Sequence, residues 1–494
     1  MRRFHSSRAF IVAALIAVLL PVCSEGSPIV FERTYGGPAD DLCFSAAQTA
    51  DGGYILAGVT ESFGAGGFDC YVVKTDLHGD TLWTRTFGGP HDDVGSSVAQ
   101  TADGGYILAG VTESFGAGGF DCYVVKTDLH GDTQWTRTFG GPHDDVGSSV
   151  AQTADGGYVV TGLTSSSGAG GNDAWLIRTD SIGDTLWTKT FGGTGDDEGN
   201  SVQQTIDGGF IVAANTRSFG AGSQDVWLIK TDSRGDTLWT RTFGGDSLDY
   251  GLSVLQTLDG GYMVAGWTWS YSVSPQFYLI KTDAGGDTLW TKTIGEPGWW
   301  LEASSAEQVA DGGYIIVGGC QAQDTTGILP GVLLVRTDVS GDTLWTRTFG
   351  GADFDVGYSV HQTSDGGYII GGQTYSFGTG RSDFYLIKTD ENGNVGVAEP
   401  TTSPSRKPVL SVTCAPNPFS ASTRISLSAG DSGLHALSVY DVQGRLVRTL
   451  AANRQSITVW DGRDDAGQLL PSGTYMIRCD VSGEHVTARV VLQR

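Results

Sequence analysis

The segment Asp51-Gly52-Gly53-Tyr54 decides the fold, because Asp-Gly-Gly followed by an aromatic residue recurs along the chain. Successive copies are 52 residues apart, and the last two are 54 apart. A unit of this size cannot bury both of its faces alone, so neighbouring copies must stack. The sequence therefore predicts a repeat protein of seven units, whose Asp-Gly-Gly segments begin at Asp51, Asp103, Asp155, Asp207, Asp259, Asp311 and Asp365.

Each unit has the sequence pattern of four short strands. The unit over residues 83–134 contains four runs rich in Val, Ile, Tyr, Thr and Trp, bounded by Gly and Asp, with no 3.6-residue apolar period. A four-stranded unit of this length fits a propeller blade better than a β-helix coil or a sandwich. We therefore predict an all-β chain in which residues 27–394 form a seven-bladed β-propeller.

The lengths of the connections predict which face carries function. The Asp-Gly pair before each aromatic residue is typical of a two-residue hairpin turn, and residues 75–80 form a second tight turn. The segments 61–67 and 88–93 are longer. Alternate connections of an antiparallel meander lie at the same end, so the long loops share one face, where binding is expected.

The repeats resemble the bacterial secreted β-propeller repeat family in their Gly-Gly loops, Asp-Gly hairpins and Asp-x-x-Gly turns followed by an aromatic strand. The run Thr-Asp-x-x-Gly-Asp-Thr-Leu-Trp is also similar to the tryptophan-docking turn of quinoprotein propellers. No such strand follows Asp390, whereas an unpartnered one surrounds Phe31. We expect residues 30–35 to complete the last blade and to close the ring without a free edge. Elsewhere the aromatic position holds Trp83, Trp135, Trp187, Trp239, Trp290 and Trp345.

The ends and the charge of the chain predict its location. An apolar run over residues 9–22 follows the basic residues Arg2, Arg3 and Arg8, a pattern that predicts a signal peptide at 1–26. No other apolar run is long enough to span a membrane. The formal net charge of −25 disfavours binding to nucleic acid or to anionic lipid. The chain is predicted to be secreted or displayed at the cell surface.

The tail has a different character from the repeats. A polar linker is predicted at 395–407, and residues 408–494 carry motifs at 415–419, 437–448 and 460–467 and a closing strand at 489–494. These motifs resemble the immunoglobulin-like domain related to the flagellar hook-capping protein, and equally the C-terminal sorting domain of type IX secretion cargo. The resemblance implies a small sandwich that serves either in export by the type IX machinery or as an accessory module. We favour sorting, because the domain comes last and follows a cleavable signal.

Cysteines and recurring charges favour structural roles. Cys70 and Cys122 occupy a strand position that is apolar in other copies, which predicts buried free thiols, while pairing of Cys414 with Cys479 stays open. The repeated Lys or Arg at the position of Lys74 is expected to be structural, as an inter-blade ion pair. A recurring loop carboxylate is expected to cap its own loop, because single carboxylates far apart cannot share a metal ion. It is present as Asp41, Asp93, Asp145, Asp197, Asp249 and Asp355, with Leu301 in the sixth copy.

Catalytic patterns are scarce in the sequence. Gly430-Asp-Ser-Gly433 echoes a serine-protease motif without a supporting histidine motif, and His91 and His143 are merely repeat equivalents. A catalytic site needs unlike groups that converge, whereas these loops are near copies of one another. We predict a non-enzymatic binding or structural protein with no catalytic residue, metal or cofactor. The alternative is a carbohydrate-active or quinone-dependent enzyme that uses the propeller axis.

Copies five and six break the repeat with additional aromatic residues. Flat rings in polar loops can stack on sugars or anchor a partner protein, so these residues are predicted to bind a surface glycan or a protein ligand. The competing interpretation is that the rings fill a gap between blades, with Trp267 the most buried. The candidate site consists of Trp267, Trp269, Tyr271, Trp299 and Trp300.

Overall fold

A computed structural model of the protein describes residues 28–296, 298–324, 327–395, 411–415, 419–428, 436–441, 445–450, 457–481 and 484–493. The chain divides into two compact units, Met1–Val397 and Ala398–Arg494. All regular secondary structure assigned within the described residues is β-strand. These residues contain no helix that is long and apolar enough to cross a membrane. The predicted signal peptide at 1–26 and the linker after residue 395 lie outside the described residues.

Residues 28–395 form seven groups of four antiparallel strands, called sheets 1 to 7 here, and in the first six the strands follow one another in the chain. Sheet 1 comprises β2 (Asp41–Gln48), β3 (Tyr54–Thr60), β4 (Asp69–Thr75) and β5 (Thr81–Phe87). Sheet 2 comprises β6 (Asp93–Gln100), β7 (Tyr106–Thr112), β8 (Asp121–Thr127) and β9 (Thr133–Phe139). Sheet 3 comprises β10 (Asp145–Gln152), β11 (Tyr158–Thr164), β12 (Asp173–Thr179) and β13 (Thr185–Phe191), and sheet 4 comprises β14 (Asp197–Gln204), β15 (Phe210–Thr216), β16 (Asp225–Thr231) and β17 (Thr237–Phe243).

Sheets 5 to 7 follow the same order, and sheet 7 is completed by the first strand of the described chain. Sheet 5 comprises β18 (Asp249–Gln256), β19 (Tyr262–Thr268), β20 (Gln276–Thr282) and β21 (Thr288–Ile294). Sheet 6 comprises β22 (Trp300–Gln308), β23 (Tyr314–Asp324), β24 (Gly327–Thr337) and β25 (Thr343–Phe349). Sheet 7 comprises β26 (Asp355–Gln362), β27 (Tyr368–Thr374), β28 (Asp383–Thr389) and β1 (Phe31–Tyr35). Sheets 6 and 7 are also joined by a backbone pairing of Gly319 with Val356.

The core consists of apolar layers between successive sheets. Ile55 and Val72 of sheet 1 pack with Tyr106 and Leu108 of sheet 2, and similar clusters join the other neighbours. The two middle strands of a sheet are buried on both faces, which explains their continuous apolar runs in place of a strict alternation. Stacking between sheets therefore supplies the burial that one repeat cannot supply alone.

The ring closes through β1, as the sequence predicts. β1 pairs antiparallel with β28, from Phe31 opposite Lys388 to Tyr35 opposite Phe384. The Ser359 hydroxyl also accepts the Ala46 N–H at 2.9 Å, which ties sheet 7 to sheet 1. The first and last sheets are thus neighbours, and the edge strand of sheet 7 is covered.

The tryptophan-docking contact repeats between sheets. The ring of Trp83 lies against Gly131 in the β8–β9 turn, where an added Cβ would be 2.8 Å from the ring. Arg85 lies over the same ring at 5.6 Å from its centroid and bonds to Asp132 at 2.9 Å. Phe31 makes the equivalent contact with Gly79 of sheet 1. One side chain per outer strand therefore links each sheet to the next.

The recurring lysine forms an ion pair inside its own sheet. Lys74, 2% exposed, contacts Asp51 at 2.9 Å and donates to the Thr75 carbonyl at 2.8 Å. Asp51 belongs to the β2–β3 turn of the same sheet, so the prediction of an inter-blade pair is wrong. The pair stabilises the hairpin turn, because a buried ammonium needs a carboxylate and a carbonyl to replace its water.

The described cysteines of the first unit are free thiols. Cys43, Cys70, Cys122 and Cys320 are buried and unpaired, which confirms the prediction for Cys70 and Cys122. Burial raises the pKa of the Cys43 thiol to about 12. The side chains of Cys414 and Cys479 lie outside the described residues, so their pairing stays open.

The second unit is a small β-sandwich. A three-stranded sheet contains β29 (Ser411–Ala415), β30 (Thr423–Ser428) and β33 (Ile457–Trp460), and a four-stranded sheet contains β31 (Ala436–Tyr440), β32 (Leu446–Leu450), β34 (Gly473–Val481) and β35 (Glu484–Leu492). Trp460 is fully buried between them and packs with Phe419 and Tyr475. The predicted fold class, an all-β propeller followed by an immunoglobulin-like domain, is confirmed.

Candidate ligand-binding site

The long loops of most copies are held by the recurring aspartate. The Asp93 Oδ2 atom accepts the Gly89 N–H at 2.7 Å and the Ser114 hydroxyl at 2.7 Å, and Asp93 is fully buried. Asp41 makes the same bonds to Gly37 and Ser62. These are the loop-capping contacts that the sequence predicts. The described residues contain no group of three or more His, Cys, Asp and Glu side chains that could hold a metal ion.

Copy six lacks this cap, and its loop takes a different route. Leu301 replaces the aspartate, is 1% exposed and donates its N–H to the Pro275 carbonyl at 3.0 Å. The Trp299 N–H bonds to the Glu296 carbonyl at 3.1 Å. An apolar side chain cannot accept the loop N–H groups, so the segment before β22 keeps only the backbone bond that the capped copies also make, as from Asp93 to Phe68, together with the burial of Leu301.

Two of the five predicted aromatic residues are in contact. The rings of Trp269 and Trp300 lie edge to face, with centroids 5.4 Å apart and planes at 90°. Trp300 is 45% exposed, and Trp269 is half-buried. Trp269 follows β19 of sheet 5, and Trp300 begins β22 of sheet 6. The neighbouring long loops therefore bring together residues that are 31 positions apart in the sequence.

The other three candidates have different surroundings. Trp267 stacks on Tyr250 at 4.1 Å, inside sheet 5, and is half-buried. Trp299 packs against the apolar layer between sheets 5 and 6. Tyr271 is 54% exposed and donates its hydroxyl to the Gly244 carbonyl at 2.9 Å. The candidate site is therefore centred on Trp269 and Trp300, while Trp267 and Trp299 support the surrounding structure.

Trp300 lines a cavity of about 290 Å³ between sheets 6 and 7. Its indole N–H donates to the Glu302 Oε1 atom at 2.6 Å, so the ring and the carboxylate hold each other in place. The opposite wall comes from Phe354 and Val356 of the next sheet. The full lining is Trp300, Glu302, Gly319, Cys320, Gln321, Phe354 and Val356.

Glu302, Cys320 and Phe354 were not predicted from the sequence, although Phe354 carried a detectable signal. Trp300 and Phe354 lie immediately before the capping position of copies six and seven, and copies one to four have aspartate at that place. Glu302 occupies a position that holds leucine or valine in copies one to three but also glutamate, Glu198, in copy four. A comparison of the copies position by position therefore singles out Trp300 and Phe354 but not Glu302. Their convergence on one cavity depends on how sheets 6 and 7 pack.

The ionisable groups around the cavity differ in character. Burial raises the pKa of the Cys320 thiol to about 11, so this group is a neutral thiol at physiological pH. The cavity therefore offers neutral aromatic and thiol groups around the Glu302 carboxyl group.

Comparison with known proteins gives one family match. Residues 419–484 match the family described as the FlgD Ig-like domain. The chain is 26% identical over 226 residues to the regulatory protein FlaEY of Caulobacter vibrioides. That match covers 39% of this chain and 23% of FlaEY. The chain thus spans less than a quarter of the length of this curated relative.

Two solved structures are similar at low identity. PorZ, described as an essential bacterial surface component of the type-IX secretion system of Porphyromonas gingivalis, has a TM-score of 0.42 and 14% identity, with 93% of this chain and 60% of PorZ covered. The β-propeller domain of the Trilobed protease from Pyrococcus furiosus has a TM-score of 0.39 and 10% identity, with 75% of this chain and 98% of that domain covered.

Proposed function

We propose that this chain is a secreted or surface-displayed, non-enzymatic binding protein, with a seven-bladed propeller that recognises a surface glycan. The C-terminal immunoglobulin-like domain serves in export by a type IX secretion machinery. The observation that carries the binding proposal is the cavity lined by Trp300, Glu302 and Phe354, where the ring of Trp300 also meets that of Trp269 edge to face.

The geometry around Trp300 suits a sugar ring. The indole is 45% exposed yet held by its bond to Glu302, so little conformational freedom is lost when a ligand stacks on it. The Glu302 Oε2 atom remains available to accept a sugar hydroxyl. An aromatic face beside a hydrogen-bonding carboxylate is the combination of apolar area and convergent polar groups that ligand sites use.

Two observations support a non-enzymatic role. The raised pKa of Cys320 makes its thiol a poor nucleophile. The carboxylate of Glu302 already accepts the Trp300 indole N–H, and no histidine or second carboxylate lines the described cavity. Hydrolysis of a glycosidic bond usually needs a pair of carboxyl groups, and Glu302 supplies one. The enzyme alternative would have to place its chemistry at the propeller axis, outside this cavity.

The export proposal rests on the tail motifs and on the match of residues 419–484 to the FlgD Ig-like domain family. The same sandwich serves equally well as an accessory module, so export is the part of the proposal that needs a cellular test.

A glycan array probed with the full chain tests the binding proposal. Trp300→Ala should remove binding to the glycans that the unchanged chain retains. The matched control is Phe219→Ala, which removes an aromatic ring of the same 45% exposure from a long loop of copy four. Loss of binding in both variants, or in neither, would contradict a site at Trp300. Thermal unfolding of each variant would show that the loss does not come from misfolding.

A further inference from the structure

A second cavity lies on the axis of the ring. It has a volume of about 420 Å³ and is lined by the innermost strand of every sheet in residues 28–395. Such a volume is within the range of small-molecule sites. Each innermost strand has a register shift at this depth, as between Gly95 and Ser97, so two successive side chains line the cavity.

One of the two lining positions is the same in all copies, and the other is not. Ser97 and its equivalents are always serine, because each hydroxyl accepts an N–H from the next sheet, as Ser45 does from Val98 at 3.2 Å. The preceding position changes from copy to copy. Its occupants, in order, are Phe44, Ser96, Ser148, Asn200, Leu252, Ser304 and Tyr358.

The exposed positions of the outer strands vary much less than this axial position. The outer strands repeat Thr-Leu-Trp-Thr almost unchanged, although the leucine of that run is more than half exposed in each case. Copies one and two are even identical over residues 49–81 and 101–133. The copies have therefore stayed alike along their outer strands, whereas the axial side chains, like exposed turn positions such as Ile206 and Leu258, differ chemically between copies. The exposed leucines are Leu82, Leu186, Leu238, Leu289 and Leu344.

The axial side chains combine an apolar side with unengaged hydroxyl groups. Phe44 and Tyr358 lie side by side on sheets 1 and 7, edge to face at 5.5 Å. Among the described residues, the hydroxyls of Ser96, Ser148, Ser304 and Tyr358 make no hydrogen bond with the protein, and all four line the cavity. Among the lining residues, one carboxyl group and one imidazole are present, those of Glu307 and His361, which bond to each other at 3.0 Å.

We propose that this axial channel is a second binding site, separate from the Trp300 cavity, and that it takes a neutral mono- or disaccharide. The apolar face of the sugar packs against Phe44 and Tyr358, and its hydroxyls bond to the free serine hydroxyls across the channel. A charged ligand fits less well, because the channel offers it only a carboxylate and an imidazole that already satisfy each other.

The repeat supplies variants that the fold already accommodates. Phe44→Ser and Tyr358→Ser introduce the residue that copies two, three and six carry at the same position. Ser148→Tyr introduces the residue of copy seven and fills the channel from the opposite side. Trp300→Ala, which alters the other cavity, is the control that separates the two proposals.

Isothermal titration of the full chain with glucose, galactose, N-acetylglucosamine, maltose and cellobiose provides the readout. At least one sugar should bind with one-to-one stoichiometry. Tyr358→Ser and Ser148→Tyr should each weaken that binding about tenfold or more, and Trp300→Ala should leave it unchanged.

Two results would overturn the inference. One is that none of the five sugars binds at concentrations of about 50 mM, where even millimolar affinities are measurable. The other is that binding is lost in Trp300→Ala and kept in the channel variants, which would assign the sugar to the cavity of the proposed function. If Ser148→Tyr fails to fold, as judged by thermal unfolding, Phe44→Ser and Tyr358→Ser decide the question.

Discussion

The carboxylates of Asp69 and Asp93 meet at Gly88, although the two residues belong to neighbouring sheets. A Cβ built on Gly88 would lie 2.2 Å from Asp69 Oδ1 and 2.7 Å from Asp93 Oδ2, so only glycine admits both. Both aspartates are at most 2% exposed. The same arrangement joins Asp383 with Asp41, Asp121 with Asp145, Asp173 with Asp197, and Asp225 with Asp249.

This relationship predicts that Asp69→Asn stabilises the protein at neutral pH. Burial, together with the charge of Asp93, raises the pKa of Asp69 in the folded state. Because the pKa of Asp69 is higher in the folded than in the unfolded protein, its contribution to the free energy of unfolding is fully present below the unfolded pKa of about 4. That contribution is lost as the pH rises through the folded-state pKa, where the buried carboxyl group must ionise. The asparagine variant should therefore gain about 1 kcal/mol at pH 7 and nothing below about pH 4.

Thermal or denaturant unfolding across that pH range measures the effect. The exposed loop carboxylate Asp353 provides the control, since Asp353→Asn should leave the unfolding free energy unchanged at every pH. A gain for Asp69→Asn that is equal at acidic and neutral pH would mean that packing, and not charge, is responsible. The chain offers its own precedent, because Gln276 and Leu301 replace both carboxylates between sheets 5 and 6.

The docking of Trp83 on Gly131 predicts a large cost for Gly131→Ala. A methyl group there would lie 2.8 Å from the indole, and the glycine has φ of 77°. Gly104→Ala is the matched control, since Gly104 has φ of 84° and nothing within 4 Å of an added Cβ. We expect about 1 kcal/mol of destabilisation for the control and roughly 2–4 kcal/mol for Gly131→Ala. Equal destabilisation of the two variants in chemical unfolding would show that Trp83 can move aside without loss of stability.

Ring closure predicts that the protein needs β1. A chain that begins at Gly36 exposes β28 as an edge strand and uncovers the Gly79 turn on which Phe31 packs. It should lose cooperative unfolding and aggregate. Calorimetry and light scattering would measure this, with the single substitution Phe31→Ala expected to cost about 3 kcal/mol and to stay monomeric. A truncated chain that melts like the unchanged chain would contradict closure by this strand.

The export proposal predicts separate roles for the two units. A reporter that carries a signal peptide and residues 408–494 at its C-terminus should reach the surface of a host with type IX secretion. The full chain shortened after residue 395 should keep its propeller fold and remain in the periplasm, as cell fractionation and circular dichroism would show. Retention of the reporter in the periplasm would leave the accessory-module role for this domain.

The sequence alone determined the repeat, the four strands of each copy, the two kinds of connection and the strand that closes the ring. The strands and connections are local, because turn residues and apolar runs act within one copy of about 52 residues, and the closing strand followed from the aromatic strand that the last copy lacks. The free buried thiols followed in the same way, since a position that is apolar in the other copies has a similar environment in each. The immunoglobulin-like tail was recognised from its motifs.

Only the tertiary structure decided which of the unusual side chains meet. Trp269 contacts Trp300, whereas Trp267 stacks inside its own sheet and Trp299 supports the apolar layer between sheets. Lys74 pairs within its sheet and not across sheets. Glu302 and Phe354 enter one cavity because adjacent sheets place positions 52 residues apart side by side. Contacts between sheets depend on how the faces stack around the ring, and no pattern within a single copy specifies that packing.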